Sequence, residues 1–154
     1  MSCKQNKIPI FWIYSIYDPK CKMIKFDDRL DGTHSGKQRP MCVDGTSGAG
    51  FINDITDLID DNDIIFKKTY YSAFKNTNLK DKLNEMNIDD IIVCGVTANT
   101  CVLATSKYAS EYGMNVTMLT DCVSSFSDEK TQEGIEIFSK FANCKISTSI
   151  TFSF

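Results

Sequence analysis

IIVCGVTANTCVLAT, residues 91 to 105, is the stretch on which the reading of this chain turns. Ile91 to Cys94 form an apolar run of strand composition, and Gly95 permits a sharp turn. From about Thr100 the residues suit a helix that reaches Tyr112, where Gly113 stops it. In a parallel α/β sheet a strand-loop-helix unit of this kind puts its loop at the carboxyl ends of the strands, where ligands bind in open sheets. Cys101 stands at the mouth of that loop. The first turn of a helix has unpaired N–H groups and a partial positive charge, so a thiol there is biased toward thiolate, the form that attacks electrophiles. A packing role is an equal alternative on position alone. Free cysteines are among the most buried residue types, and the chain has seven.

Upstream of this unit, Asp63 to Lys67 (DIIFK) has strand character and runs into a basic and aromatic segment, Lys68-Thr69-Tyr70-Tyr71-Ser72-Ala73-Phe74. A lysine at such a place is ordinarily a solvated surface residue. Asn78 is placed to cap an amphipathic helix through Met86, with Leu79, Leu83 and Met86 on one face. Downstream, Asn115 to Thr120 reads as a strand ended by Asp121. Ser127 caps a last helix to Phe141, with Ile135, Phe138 and Phe141 at core spacing, and Lys145 to Ser149 is a final strand.

The chain opens with IPIFWIYSIY, Ile8 to Tyr17, which reads as a buried strand closed by Asp18-Pro19. From there to Gly50 periodicity is weak. This stretch holds Asp27, Asp28 and Asp31, the only histidine, His34, and the glycines at 45, 48 and 50 before a short helix, Phe51 to Leu58. The glycine spacing is not G-x-G-x-x-G and no clear strand leads into it, so turn geometry is favoured over a dinucleotide site. Five strands separated by helices or long crossovers argue for one parallel, doubly wound α/β domain over residues 1–154, with helices on both faces of the sheet.

With 154 residues, 42% apolar and 24% charged, and three prolines, the composition is that of an ordinary globular protein with one core. A net charge of -3 supplies no field for a phosphate backbone, so no nucleic-acid partner is expected. The odd cysteine count, without a C-x-x-C pair or clustered histidines, fits reduced thiols in the cytoplasm and no closed zinc site. The apolar run from Ile8 to Tyr17 is too short to span a bilayer and has no cleavage site after it, so neither a membrane association nor a targeting signal is expected.

GVTANTCV at 95 to 102, followed by a helix and by TMLTDCVSS at 117 to 125, resembles the signature of the isochorismatase-like cysteine hydrolases. KTYYSAF at 68 to 74 is similar to the K-x-x-Y-S-A-F segment of that family, and PMCVDGTSGA at 40 to 49 resembles its nicotinamidase branch. The resemblance covers nearly the whole chain and implies the Rossmann-like three-layer fold. It makes Cys101 the nucleophile that attacks a carbonyl or amide carbon and Lys68 the neighbouring cation, which would stabilise a thiolate and developing negative charge. It also implies an oxyanion hole from the backbone N–H groups of Thr97 and Cys101, with a cis peptide between Val96 and Thr97. Self-association as a homo-oligomer is implied by the same resemblance.

The departures from the family pattern bear on mechanism. KIPIFWI resembles the family's second strand, so the first strand, which ends in the catalytic aspartate, has no match. In the family that strand lies in mid-sheet, and without it its neighbours would stand roughly 10 Å apart, beyond hydrogen bonding. The gap closes, another chain supplies a strand, or the chain is a shortened product. Asp18 is the best in-chain substitute carboxylate and His34 a second candidate base. The nicotinamidase metal set is reduced as well, because Met41 stands for the histidine of P-x-H-C-V and Lys20 falls where another would lie. No bound metal and no other cofactor are expected. Two functions follow. One is a cysteine hydrolase cleaving a C–N bond of a small-molecule amide. The other is a catalytically impaired relative that keeps the pocket and binds a small molecule or a protein.

Overall fold

The computed structural model describes residues 3–16 and 42–152. Asp18, Lys20, His34 and Met41, and the long stretch of weak periodicity up to residue 41, lie outside them. The chain divides into two compact units, Met1–Tyr70 and Tyr71–Phe154.

In the first unit β1 (Phe11–Ser15) pairs in parallel with β2 (Ile64–Lys68), in the register Phe11↔Ile64 to Ser15↔Lys68. The expected first strand is shorter than its apolar run, and its residues are half-buried where a buried strand was expected. The reason is that β1 has a ladder partner on one side only among the described strands. Aromatic packing supports it. Phe11 stacks on Phe66 at 6.1 Å, and Trp12 and Tyr14 meet Phe51 edge-on at 6.2 and 5.2 Å. Trp12 Nε1 donates to Asp63 at 2.8 Å, which satisfies the indole N–H. Along β2, Phe66 and Lys68 point inward while Ile65 and Lys67 are exposed, the two-residue alternation of a half-covered strand. The expected short helix from Phe51 to Leu58 is reduced to one turn, α1 (Asn53–Thr56).

In the second unit β3 (Asp90–Val96), β4 (Asn115–Ser124) and β5 (Cys144–Ser147) form a parallel ladder in the order β3-β4-β5. Every strand pairing described is thus parallel, as the α/β reading requires, and the strands make two ladders. From Val93 to Gly95 β3 advances two residues, while β4 advances five, from Met118 to Val123. This bulge carries β4 past the expected end at Thr120 and sets Ser124 beside Val96, next to the cysteine loop.

The helices α2 (Leu79–Glu85), α3 (Leu103–Glu111) and α4 (Asp128–Phe138) complete this unit. Phe138, Met118, Val116 and Ser106 are its largest fully buried side chains. Gly113, at φ +82°, ends α3 in the left-handed conformation that glycine adopts without a Cβ penalty, and the Met114 N–H then closes on the Ala109 carbonyl at 3.1 Å. Ser127 caps α4 by accepting from the Lys130 N–H at 3.2 Å. Asn78 stands at the N-cap of α2 as expected, but its side chain makes no capping bond, and Thr77 Oγ1 instead accepts from the Leu79 N–H at 3.2 Å. No helix among the described residues is long and apolar enough to cross a membrane.

Asp121, within the bulged part of β4, holds the segment after β5. Its carboxylate accepts from the Ser149 N–H at 2.8 and 3.0 Å and from the Ser149 hydroxyl. These bonds hold the Asp121 carboxyl below its ordinary 3.8. A carboxyl lowered on folding adds stability above its unfolded value, and that stability disappears as pH falls through the folded value. Urea unfolding of the protein and of Asp121→Asn, from neutral pH down through the carboxylate range, should show a difference in midpoint that shrinks on acidification. A difference independent of pH would mean that Asp121 contributes by shape alone.

Candidate active site

The segment after β3 does not enter a regular helix at Thr100. Residues Ala98–Val102 form a π-turn, which runs into α3 at Leu103. Single π-turns inside helices occur often at functional sites. The Thr97 carbonyl accepts from the N–H groups of Thr100 and Val102 at 3.1 and 3.2 Å, and the peptide between Val96 and Thr97 is cis. The sharp turn expected at Gly95 is corrected: Gly95, at φ +111°, stays inside β3 and takes up the bulge opposite Val123, at a positive φ that glycine adopts without a Cβ penalty. Cys101 lies in the π-turn and is half-buried, whereas Cys94 on β3 is exposed.

Side chains hold this turn on two sides, and a close helix approach bounds it on a third. The Asn99 side-chain carbonyl accepts from Ser125 Oγ at 2.6 Å and from Thr100 Oγ1 at 3.3 Å, tying the turn to the end of β4. Thr105 Oγ1 donates to the Cys101 carbonyl at 2.8 Å and accepts from the Ala73 N–H at 3.1 Å. One hydroxyl thereby joins the cysteine helix to the YSAF segment, in which Ser72, Ala73 and Phe74 are all buried. On the third side is Gly134 of α4. A Cβ built there would lie 2.7 Å from the Ala98 carbonyl carbon and 2.7 Å from the Asn99 nitrogen, so α4 can approach the turn this closely only at a glycine.

Lys68 is the last residue of β2, inside the strand that was expected to stop at Lys67, and only 5% of it is exposed. It is therefore not the solvated lysine that its sequence position suggests. Its Nζ donates to Ser15 Oγ at 2.9 Å and to the Tyr70 carbonyl at 3.0 Å. Lys68 and Cys101 belong to different compact units, and Asp18, the candidate carboxylate, lies outside the described residues. Among the described residues no group of three or more His, Cys, Asp or Glu is placed to hold a metal ion.

Ser15, Thr105, Ser125 and Gly134 escaped the sequence reading. Each acts through a partner distant in the chain, and the only local signal was a glycine inside a helix, which costs stability unless something needs the space.

The sequence profile of the isochorismatase domain matches residues 1–149. Nicotinamidase 3 of Arabidopsis thaliana is 32% identical over 87 residues, which are 56% of this chain and 44% of that protein. A probable inactive nicotinamidase of the same plant is 25% identical over 128 residues, 82% of this chain and 63% of that protein. The chain spans less than two thirds of the length of either relative. Among solved structures, the nicotinamidase PncA from Bacillus subtilis superposes with a TM-score of 0.79 at 23% identity, covering 94% of this chain and 77% of that one, a likeness of fold. Because the profile takes in β1 to β5 together with the Cys101 loop, the chain belongs to the isochorismatase domain family.

Proposed function

We propose that this chain is a cysteine hydrolase that cleaves the C–N bond of a small-molecule amide through the Cys101 thiol, in a single isochorismatase-like domain. The observation that carries the reading is Lys68, a buried lysine whose described partners, Ser15 Oγ and the Tyr70 carbonyl, are two neutral oxygens, which suits a cation that meets an anion. Similarity to a protein named a nicotinamidase supports an amide as the substrate class.

In this reading the Cys101 thiolate attacks the amide carbonyl and a C–S bond forms. Negative charge then develops on the carbonyl oxygen, toward which the N–H groups of Thr97 and Cys101 would donate. Collapse breaks the C–N bond and the amine leaves with a proton from an acid; Asp18, the substitute carboxylate, is the candidate for the group that takes the thiol proton and returns it here. Water then attacks the thioester, releasing the carboxylic acid and the thiol. Lys68 stabilises the thiolate and the oxyanion electrostatically. The odd cysteine count without a C-x-x-C pair supports a cytoplasmic location, and the family resemblance supports a homo-oligomer.

A second reading is favoured by one observation, similarity over 82% of this chain to a protein named a probable inactive nicotinamidase. In it the same pocket binds a small molecule or a protein without turnover.

The test needs no substrate. Iodoacetamide at neutral pH, followed by intact mass and peptide mapping, should label half-buried Cys101 ahead of exposed Cys94. Cys122 and Cys144 serve as slow references. Burial pushes up both thiols, and the Asp121 carboxylate raises that of Cys122 further. Lys68→Ala should remove the preference for Cys101. If Cys101 reacts no faster than Cys94, no activated nucleophile is assembled and the binding reading takes over.

A further inference from the structure

We propose that Ser15 is the positioning residue of Lys68, the hydroxyl that aims its ammonium. The inference rests on the hydrolase reading above, in which Lys68 acts on Cys101.

Ser15 and Lys68 are the last register pair of the β1–β2 ladder. Register partners in a parallel ladder send their side chains to the same face, and on this face Lys68 follows buried Phe66 inward. The Ile16 N–H bonds to the Lys68 carbonyl at 2.8 Å immediately beyond, so the backbone at both positions is fixed. What remains free is the long side chain of Lys68, which turns about four carbon-carbon bonds.

An ammonium has three donors and no acceptor. Two of them are taken, by Ser15 Oγ at 2.9 Å and by the Tyr70 carbonyl at 3.0 Å. Two anchored N–H bonds on a tetrahedral nitrogen determine the direction of the third. The Tyr70 carbonyl comes with the backbone whatever the sequence, which leaves Ser15 as the side chain that decides the orientation.

The neutrality of both partners matters as much as their positions. Lys4, Lys67, Lys82, Lys107 and Lys130 each lie within ion-pair distance of a carboxylate. Lys68, the buried lysine among the described residues, has no carboxylate at that distance among them. A carboxylate in the place of Ser15 would offset the burial of the ammonium more fully but would cancel its charge. A hydroxyl holds the nitrogen without itself adding a negative charge.

Ser15→Thr and Ser15→Val have nearly the same shape and differ in whether a hydroxyl is present. Two readouts separate orientation from packing. One is the rate of Cys101 alkylation by iodoacetamide across neutral pH. The other is the exchange with water of the Lys68 Nζ protons, followed by NMR in protein carrying 15N-lysine. Ser15→Val is expected to slow alkylation by about tenfold, the size of one charge-assisted hydrogen bond, and to quicken the exchange. Ser15→Thr should restore both. Wild-type behaviour in Ser15→Val, or equal losses in Thr and Val, would overturn the positioning role. Lys68→Ala in the same series distinguishes the two levels. If it slows Cys101 while Ser15→Val does not, Ser15 alone is wrong; if it leaves Cys101 unchanged, the hydrolase reading of Lys68 fails and takes this inference with it.

Discussion

Cys101→Ala is expected to abolish amide turnover, by a factor on the order of 10⁶ if the thiol is the nucleophile of a covalent mechanism. The magnitude follows from the role. Removing a group that forms a bond to the substrate leaves only orientation and electrostatic stabilisation, and neither supplies a leaving-group exchange. Stability should change little, because Cys101 is half-buried and the truncation removes one sulfur from a turn held by its neighbours' hydrogen bonds. Thermal unfolding of the variant therefore controls for folding, and hydrolysis of a panel of small primary amides, followed by release of ammonia, measures the effect. Turnover that survives in Cys101→Ala would remove the thiol from the chemistry. A ligand that binds the wild type and the variant equally, with no turnover in either, would establish the binding reading instead.

Gly134→Ala is expected to lower the unfolding midpoint and the reactivity of Cys101 together. Within a helix, alanine in place of glycine would ordinarily add up to about 1 kcal/mol of stability. Here the added carbon would meet backbone atoms at 2.7 Å, the Ala98 carbonyl carbon and the Asn99 nitrogen. Neither can move aside as a flexible side-chain tip would. Ala98 is fully buried, and Asn99 is held by Ser125. Overpacking of a well-filled site costs about 1 to 3 kcal/mol. At the middle of that range, about 2 kcal/mol, the clash outweighs a helix gain of about 1 kcal/mol and leaves a net loss of about 1 kcal/mol. For a chain of this size each kcal/mol is worth about 2 to 4 °C, well within the reach of calorimetry. Relief of the clash shifts either α4 or the peptide between Ala98 and Asn99, which lies two residues before Cys101. A variant as stable as the wild type, with Cys101 alkylated at the wild-type rate, would show that α4 and the turn do not approach this closely.

The features legible in the amino-acid sequence are those whose causes lie within a few residues. The apolar run before Gly95, the stop at Gly113 and the cap at Ser127 each depend on backbone conformation and hydrogen bonds local to the chain, and each is present. The local reading failed where two neighbouring residues could serve one purpose. Asn78 and Thr77 both suit a helix start, and the bond is made by Thr77. It also failed at Thr100, because a π-turn and the first turn of an α-helix look the same in composition.

The family motifs, the parallel α/β class and the order of the elements can be read along the chain, since hydrophobic period and turn chemistry are encoded residue by residue. Packing between distant segments buries Lys68 and anchors it to Ser15, 53 positions away, links the cysteine helix to Ala73 through Thr105, and leaves no room for a side chain at Gly134. These are matters of register and close approach. A strand's neighbour and a helix's distance are set by how whole elements pack, and no short stretch of chain carries that information.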